Sequence, residues 1–279
     1  MKKLFVIFAC AGAMAIASQA QVLLSGGLTY SQNFDSLASS TTTTTVPWAD
    51  NSTLPGWYAS RAYVSGTTSA FGPFTWTSYR VAGGENNSGA IYSFGTNGVN
   101  PITDRALGSI SSGTPKTNVF GIRIKNDTAS AVSTITVSYT GEEWRNGGNT
   151  AVQTLAFSYG TSSVGFASPI DTAAEPNGGW TGVAGLNFNT PIVGATAGVL
   201  DGNDPANRTV FSPTVLTGVT LNPGDEIFLR WRDIDDSGND HGFGIDDFSV
   251  SFSVVPEPST VALAGLGFIA LISWRRCRR

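Results

Sequence analysis

Residues 226–232 read EIFLRWR, and residues 248–255 read FSVSFSVV. In the first stretch Ile227, Leu229 and Trp231 fall on one side of an extended chain, Arg230 and Arg232 on the other. In the second, Phe248, Val250, Phe252 and Val254 alternate with three serines. Side chains of a strand point alternately to its two faces, so period-two alternation with one polar face marks a half-buried antiparallel strand. Working outward, VFGIRIKN sets Phe120, Ile122 and Ile124 against Arg123 and Lys125. STITVSYT sets Ile135, Val137 and Tyr139 against Thr134, Thr136 and Ser138, and TLAFSY repeats the pattern with Leu155, Phe157 and Tyr159. The alternation predicts strands over 120–125, 134–140, 154–159, 227–232 and 248–254. Clusters such as AGGENNSG, GTNGVNP, EWRNGGN and LNPGDE separate them as turns. Helical periodicity is missing from Gln21 to Val255. The pattern predicts an all-β chain, a single antiparallel β-sandwich of jelly-roll type over residues 21–255. SSTTTTT, residues 39–45, reads as a solvated loop.

The termini have a different composition. Residues 1–20 carry Lys2 and Lys3, then an apolar run from Leu4 to Ala17, then Ser18 and Ala20 as small residues before Gln21. This is the pattern of a secretory signal peptide, with helix confined to such terminal segments. The two cysteines, Cys10 and Cys277, both lie in the terminal segments. The domain between them has no disulfide or cysteine metal site available and depends on an ordinary core.

The termini hold six of the 16 basic residues and one of the 20 acidic ones, Glu257. The middle is left with 10 basic and 19 acidic residues, a net charge of −9. Such a surface repels phosphate backbones and disfavours nucleic acid as a partner. It tolerates divalent cations and neutral sugars.

The chain closes with VPEPSTVALAGLGFIALISWRRCRR. Pro256 and Pro258 cannot sit inside a strand ladder, which makes this stretch a linker. The apolar run over 261–274 has 14 residues. As a helix it spans roughly 21 Å, short of a ~30 Å hydrocarbon core, so it is a marginal transmembrane anchor. Arg275, Arg276, Arg278 and Arg279 follow it, and the positive-inside rule keeps them cytoplasmic, with residues 21–258 outside. Together the Pro256-Glu257-Pro258 motif, the short apolar run and the terminal arginine cluster resemble the PEP-CTERM sorting signal over residues 255–279. The resemblance implies export by the general secretion machinery and transient membrane retention. It further implies recognition of Pro256, Glu257 and Pro258 by an exosortase, then transfer to the cell surface or extracellular matrix.

Six aspartates crowd residues 233–247. DIDDSG places Asp233, Asp235 and Ser237 at positions 1, 3 and 5 of a calcium-type loop, with Gly238 at position 6. Position 12 is Gly244 rather than glutamate, so Asp240 or Asp246 would complete the oxygen set. The competing reading is a turn whose aspartates cap backbone N–H groups. Arg230 and Arg232 share one strand face and would reach part of the cluster. His241, the only histidine, is either a base beside this loop or a turn residue. Glu142 and Glu143 are adjacent, so they point to opposite faces and cannot flank one glycosidic bond; a pair drawn from distant strands stays open. Trp144 and Trp180 lie beside loop signals and are candidate stacking platforms for sugar rings, whereas Trp231 alternates with Leu229 as core.

FDSL, LPGW, YTGEEWRNGGN, LDGND and WRDIDDSGNDHGFGIDDFSVSF together resemble a non-catalytic β-sandwich module of bacterial secreted proteins. GIDDFSV resembles the last strand of MAM-type, concanavalin-like jelly rolls. These resemblances imply a non-enzymatic structural or adhesive surface protein that binds polysaccharide. The alternative is an extracellular polysaccharide hydrolase using acidic residues between Asp233 and Asp247. A concave cleft holding two or more of those carboxylates would favour the hydrolase; a convex, arginine-paired cluster would favour the binder.

Overall fold

The structure is a computed structural model that describes residues 21–65, 69–96 and 104–254, with the side chains of residues 64–71 left aside. The signal-peptide segment, Pro256–Glu257–Pro258, the 261–274 run and the four terminal arginines lie outside the described residues. Among the described residues no helix is long and apolar enough to cross a membrane.

All five expected strands are present, within a two-sheet sandwich. The first sheet runs β12 (Thr181–Gly182), β11 (Thr154–Ser162), β16 (Glu226–Ile234), β9 (Thr117–Lys125), β4 (Trp57–Ser65) and β5 (Ser69–Thr75). β1 (Val22–Leu23) lies parallel to the end of β9, and β13 (Phe188–Asn189) pairs with β11. The second sheet runs β14 (Gly198–Val199), β10 (Val132–Asn146), β17 (Gly242–Val254), β8 (Ala106–Ile110), β7 (Ala90–Phe94), β6 (Ser78–Ala82) and β3 (Thr44–Pro47). β15 (Arg208–Val215) pairs with β10, and β2 (Thr29–Gln32) with β17.

The inward faces are those the alternation names. Trp231 stacks against both Trp57 at 6.0 Å and Phe120 at 6.2 Å. Tyr139, Phe157 and Phe248 meet its edges and face at 5.2–5.5 Å. Every one of these rings is at most 1% exposed. Aromatic edge and stacking contacts of this kind add to the burial of large apolar surface.

Three features depart from the sequence reading. The polar face of β16 is not solvated: Arg230 is fully buried beneath the 171–175 segment, which supplies Glu175 at 2.9 Å and the Asp171 and Ala173 carbonyls. AGGENNSG is not a hairpin turn, because β6 and β7 run parallel with Arg80 opposite Tyr92. Parallel neighbours need the chain carried back along the sheet, so this loop crosses the sheet's outer face. The threonine run is only partly loop, since Thr44 and Thr45 pair with Val81 and Arg80.

The register also fixes which ends of the sandwich face apart. Val254 pairs with Val132 and Glu226 with Lys125 at one end; Gly242 pairs with Arg145 and Ile234 with Thr117 at the other. The aspartate loop therefore caps the end opposite Val254. At about 3.4 Å per residue, β17 separates the two by roughly 40 Å.

Candidate functional site

Two clefts open beside Trp144 and Arg145, one on the outer face of the second sheet and one at the end of the sandwich that the aspartate loop caps. The face is built around an aromatic stack: Tyr92 lies 4.7 Å from Phe94, and Phe94 6.0 Å from Trp144, with the ring planes nearly parallel. Gly244 beneath the indole makes this approach feasible, since a Cβ there would meet Trp144 at 3.0 Å. The crossing 83–87 loop settles onto the same strand at Gly84, where a Cβ would fall 2.0 Å from the Trp144 carbonyl and φ is +95°. No other residue type fits that position.

The larger cleft, about 510 Å³, is lined by Thr41, Thr42, Thr43, Gly83, Glu85, Thr96, Trp144, Val199, Leu200 and Asp201. Glu85 accepts hydrogen bonds from Thr43 and from the Gly83 N–H, and Thr96 Oγ1 donates to Asp201. The smaller cleft, about 300 Å³, takes its polar lining from Asn87, Ser111, Ser112, Arg145, Asp235, Asn239 and Asp240. Arg145 Nη1 donates to the Gly84 carbonyl at 3.0 Å, while its Nε has no protein partner.

The aspartates of residues 233–247 divide. Asp233 is 1% exposed and turns into the sandwich, where Ser109 on the opposite sheet donates to it at 2.7 Å. Burial pushes its carboxyl up to about 7. Asp235 pairs with Lys116. Asp240 accepts from the Asp236 N–H at 2.9 Å. Burial, with Asp235 and Asp236 alongside, pushes the Asp240 carboxyl up to about 7. Ser237 is fixed through its carbonyl, which accepts from Asn149. Asp246 is elsewhere, opposite Thr140 on the sheet's face. Asp233, Asp235, Ser237, Asp240 and Asp246 are thus not drawn around one point. Among the described residues no three or more His, Cys, Asp or Glu side chains are arranged to hold a metal ion. Arg230 and Arg232 turn away from the cluster to the 171–175 segment. Asp235 and Asp240 do share one concave cleft.

His241 is not a surface turn residue. It is fully buried, with Nδ1 2.9 Å from Glu143 Oε1, and its backbone N–H donates to Gln153. Glu143 also accepts the Ile192 N–H, and burial raises its carboxyl. The pair clips the aspartate loop to the sandwich. Neither expected platform presents a ring face to solvent. Trp144 is 1% exposed beneath Gly202, and Trp180 is 3% exposed, covered by the Arg230 guanidinium at 3.7 Å. The glycine-rich segments beside both indoles fold over them instead of leaving them bare.

Glu142 and Glu143 do face opposite ways. The carboxylate that joins Glu142 comes from a distant strand: Glu142 lies opposite Gly244 and Asp246 opposite Thr140, diagonal neighbours on one face of adjacent strands. Trp144 Nε1 donates to Glu142 at 2.9 Å, and Asp246 Oδ1 has no protein partner. Burial foremost, with the Asp104 and Asp247 charges nearby, pushes Glu142 up to about 8, and burial with the Glu142 charge beside it pushes Asp246 up to about 9. Only strand register reveals this pair.

Residues 254–279 match the PEP-CTERM protein-sorting motif. No curated protein matches the chain. Among solved structures, the enzymatically active domain of bacteriophage CBA120 tailspike protein 4 is similar at 10% identity and a TM-score of 0.32. That alignment covers 71% of this chain and 19% of the tailspike chain. TmCBM61 in complex with beta-1,4-galactotriose is similar at 10% identity and a TM-score of 0.26, over 54% of this chain and 72% of that one. Both scores are too low to carry either protein's fold or ligand across.

Proposed function

We propose that this is an exported protein of the cell surface or extracellular matrix, structural or adhesive and non-enzymatic, whose ectodomain binds polysaccharide in the paired clefts. The general secretion machinery exports it. The 261–274 run and the arginine cluster hold it transiently in the membrane, and an exosortase acts at Pro256–Glu257–Pro258. The observation that carries the reading is the placement of the aspartate-loop cleft, at the end of the sandwich opposite Val254, where the sorting motif begins. A chain held by its tail would present that cleft outward. Its amide, hydroxyl and carboxylate lining suits the donors and acceptors of sugar hydroxyls.

A hydrolase is the second reading, because Asp235 and Asp240 share one cleft. A carboxyl raised to about 7, as at Asp240, suits a proton donor, and Asp235, paired with Lys116, stands in the same cleft.

The two separate when purified protein is screened on a glycan array and against soluble polysaccharides, with reducing ends counted in parallel. Retention without new reducing ends is expected. Reducing ends that vanish in Asp240→Asn would establish the hydrolase, and neither retention nor release would overturn both. For sorting, alanines at 256–258 should leave the protein in the membrane fraction with its tail intact. Normal tail removal by mass spectrometry in that variant would reject exosortase recognition.

A further inference from the structure

We infer that the two clefts are successive subsites for one glycan chain, and that the chain they fit is a polymer of amino sugars with free ammonium groups. The inference rests on the polysaccharide-binding reading and names its ligand class.

Continuity comes from the walls. The floor residues are consecutive, Trp144 in the larger cleft and Arg145 in the smaller. Glu85 faces one cleft and Asn87 the other from the same crossing loop. Val199 and Ala197 do so from the strand on the far side, where Val199 pairs with Arg145. At about 3.4 Å per residue, each wall passes from one cleft to the next within roughly 7 Å. The divider is low: it is the Gly84 backbone, without a side chain, held by Arg145 Nη1. A short run of linked sugar rings spans that distance, with threonine hydroxyls and Val199 on one side and asparagine amides on the other.

The ligand class comes from what each cleft offers a sugar. Both pair neutral hydrogen-bonding groups with two carboxylates, Glu85 and Asp201 in one, Asp235 and Asp240 in the other. Glu85 and Asp201 are exposed. Arg145 Nη1 donates to Gly84, while its Nε has no protein partner. Uronic or sulfated chains would meet like charge here and across a domain of net charge −9. An ammonium group meets Glu85 and Asp201 in one subsite, and in the other Asp240 beside the Lys116-paired Asp235.

The test is titration of the full chain, in mild detergent, with β-1,4-linked glucosamine oligomers from dimer to hexamer and with their fully N-acetylated counterparts. Affinity should climb at least about tenfold from dimer to hexamer, because the second subsite is reached intramolecularly. The acetylated hexamer should bind at least about tenfold more weakly, and added salt should erode the glucosamine binding. Thr42→Trp and Asn87→Trp, which fill one cleft each without removing a hydrogen bond of the fold, should each return the hexamer to the affinity of the dimer. Asp201→Asn and Asp240→Asn should weaken the hexamer likewise while unfolding at the wild-type temperature. Affinity that saturates at the dimer, or filling variants that leave the hexamer unchanged, would overturn the shared groove. Equal binding of acetylated and free oligomers would overturn the ligand class while leaving the polysaccharide reading intact. Failure of every polysaccharide in the screen would sink both.

Discussion

Asp240 and Asp246 lie six residues apart in sequence, yet one opens into a polar cleft and the other is sealed against the second sheet. The aspartate loop is dense in sequence and dispersed in space: Asp233 turns inward, Asp235 takes Lys116, and Asp240 caps Asp236. Glu142 and Asp246 are 104 positions apart and neighbours in the fold. Crowding along a chain therefore does not gather charge, because alternate strand residues and a turn each point elsewhere. Register gathers it, by sliding two strands until two acids share a face.

The comparison is broken most directly by pH. Glu142 and Asp246 have folded-state values raised above the ordinary carboxylate range, to about 8 and about 9. Their contribution is fully present below the unfolded-state values near 4 and is lost as pH rises through the folded ones. Stability should fall from pH 5 to pH 8 by about 1.4 kcal/mol per pH unit for each extra proton the folded state holds. Asp246→Asn should flatten the slope and raise the melting temperature at pH 8. Calorimetry showing stability that climbs over this range would refute the raised values of the two buried carboxyls.

Between the two regions stands the clip of His241 on Glu143. His241→Ala strands a buried carboxylate with one remaining donor, the Ile192 N–H, and should cost about 3 kcal/mol. Denaturant unfolding measures it. A loss below about 1 kcal/mol would mean that the loop does not depend on the clip.

The smallest effect belongs to the loop. Lys116 is 41% exposed, so Asp235→Asn should change stability by only about 0–1 kcal/mol. A loss comparable to that of His241→Ala would show the loop to be as integral as the buried pair.

Much of the sandwich could be read in advance because it rests on period two. Phe120, Ile122, Leu229, Trp231, Val250 and Phe252 point inward as their alternation requires. What could not be read was the covering of the outer faces. Arg230 looks solvent-facing until the 171–175 segment folds over it, and Trp144 looks like a platform until Gly202 closes on it. Both coverings come from the long excursion between β11 and β15, whose path has no periodicity to betray it. The wall between the clefts was hidden for a related reason: AGGENNSG has the composition of a turn, and only the parallel pairing of β6 with β7 makes it cross the sheet.

Amide hydrogen exchange, with and without the polysaccharide that retains the protein, tests the central claim that the paired clefts form the binding surface. The account predicts protection confined to residues 83–87, 144–147, 197–201 and 235–240, on both sides of the Gly84 divider. Retention with protection only on the outer face of the first sheet, around Trp180 and Arg230, would contradict it.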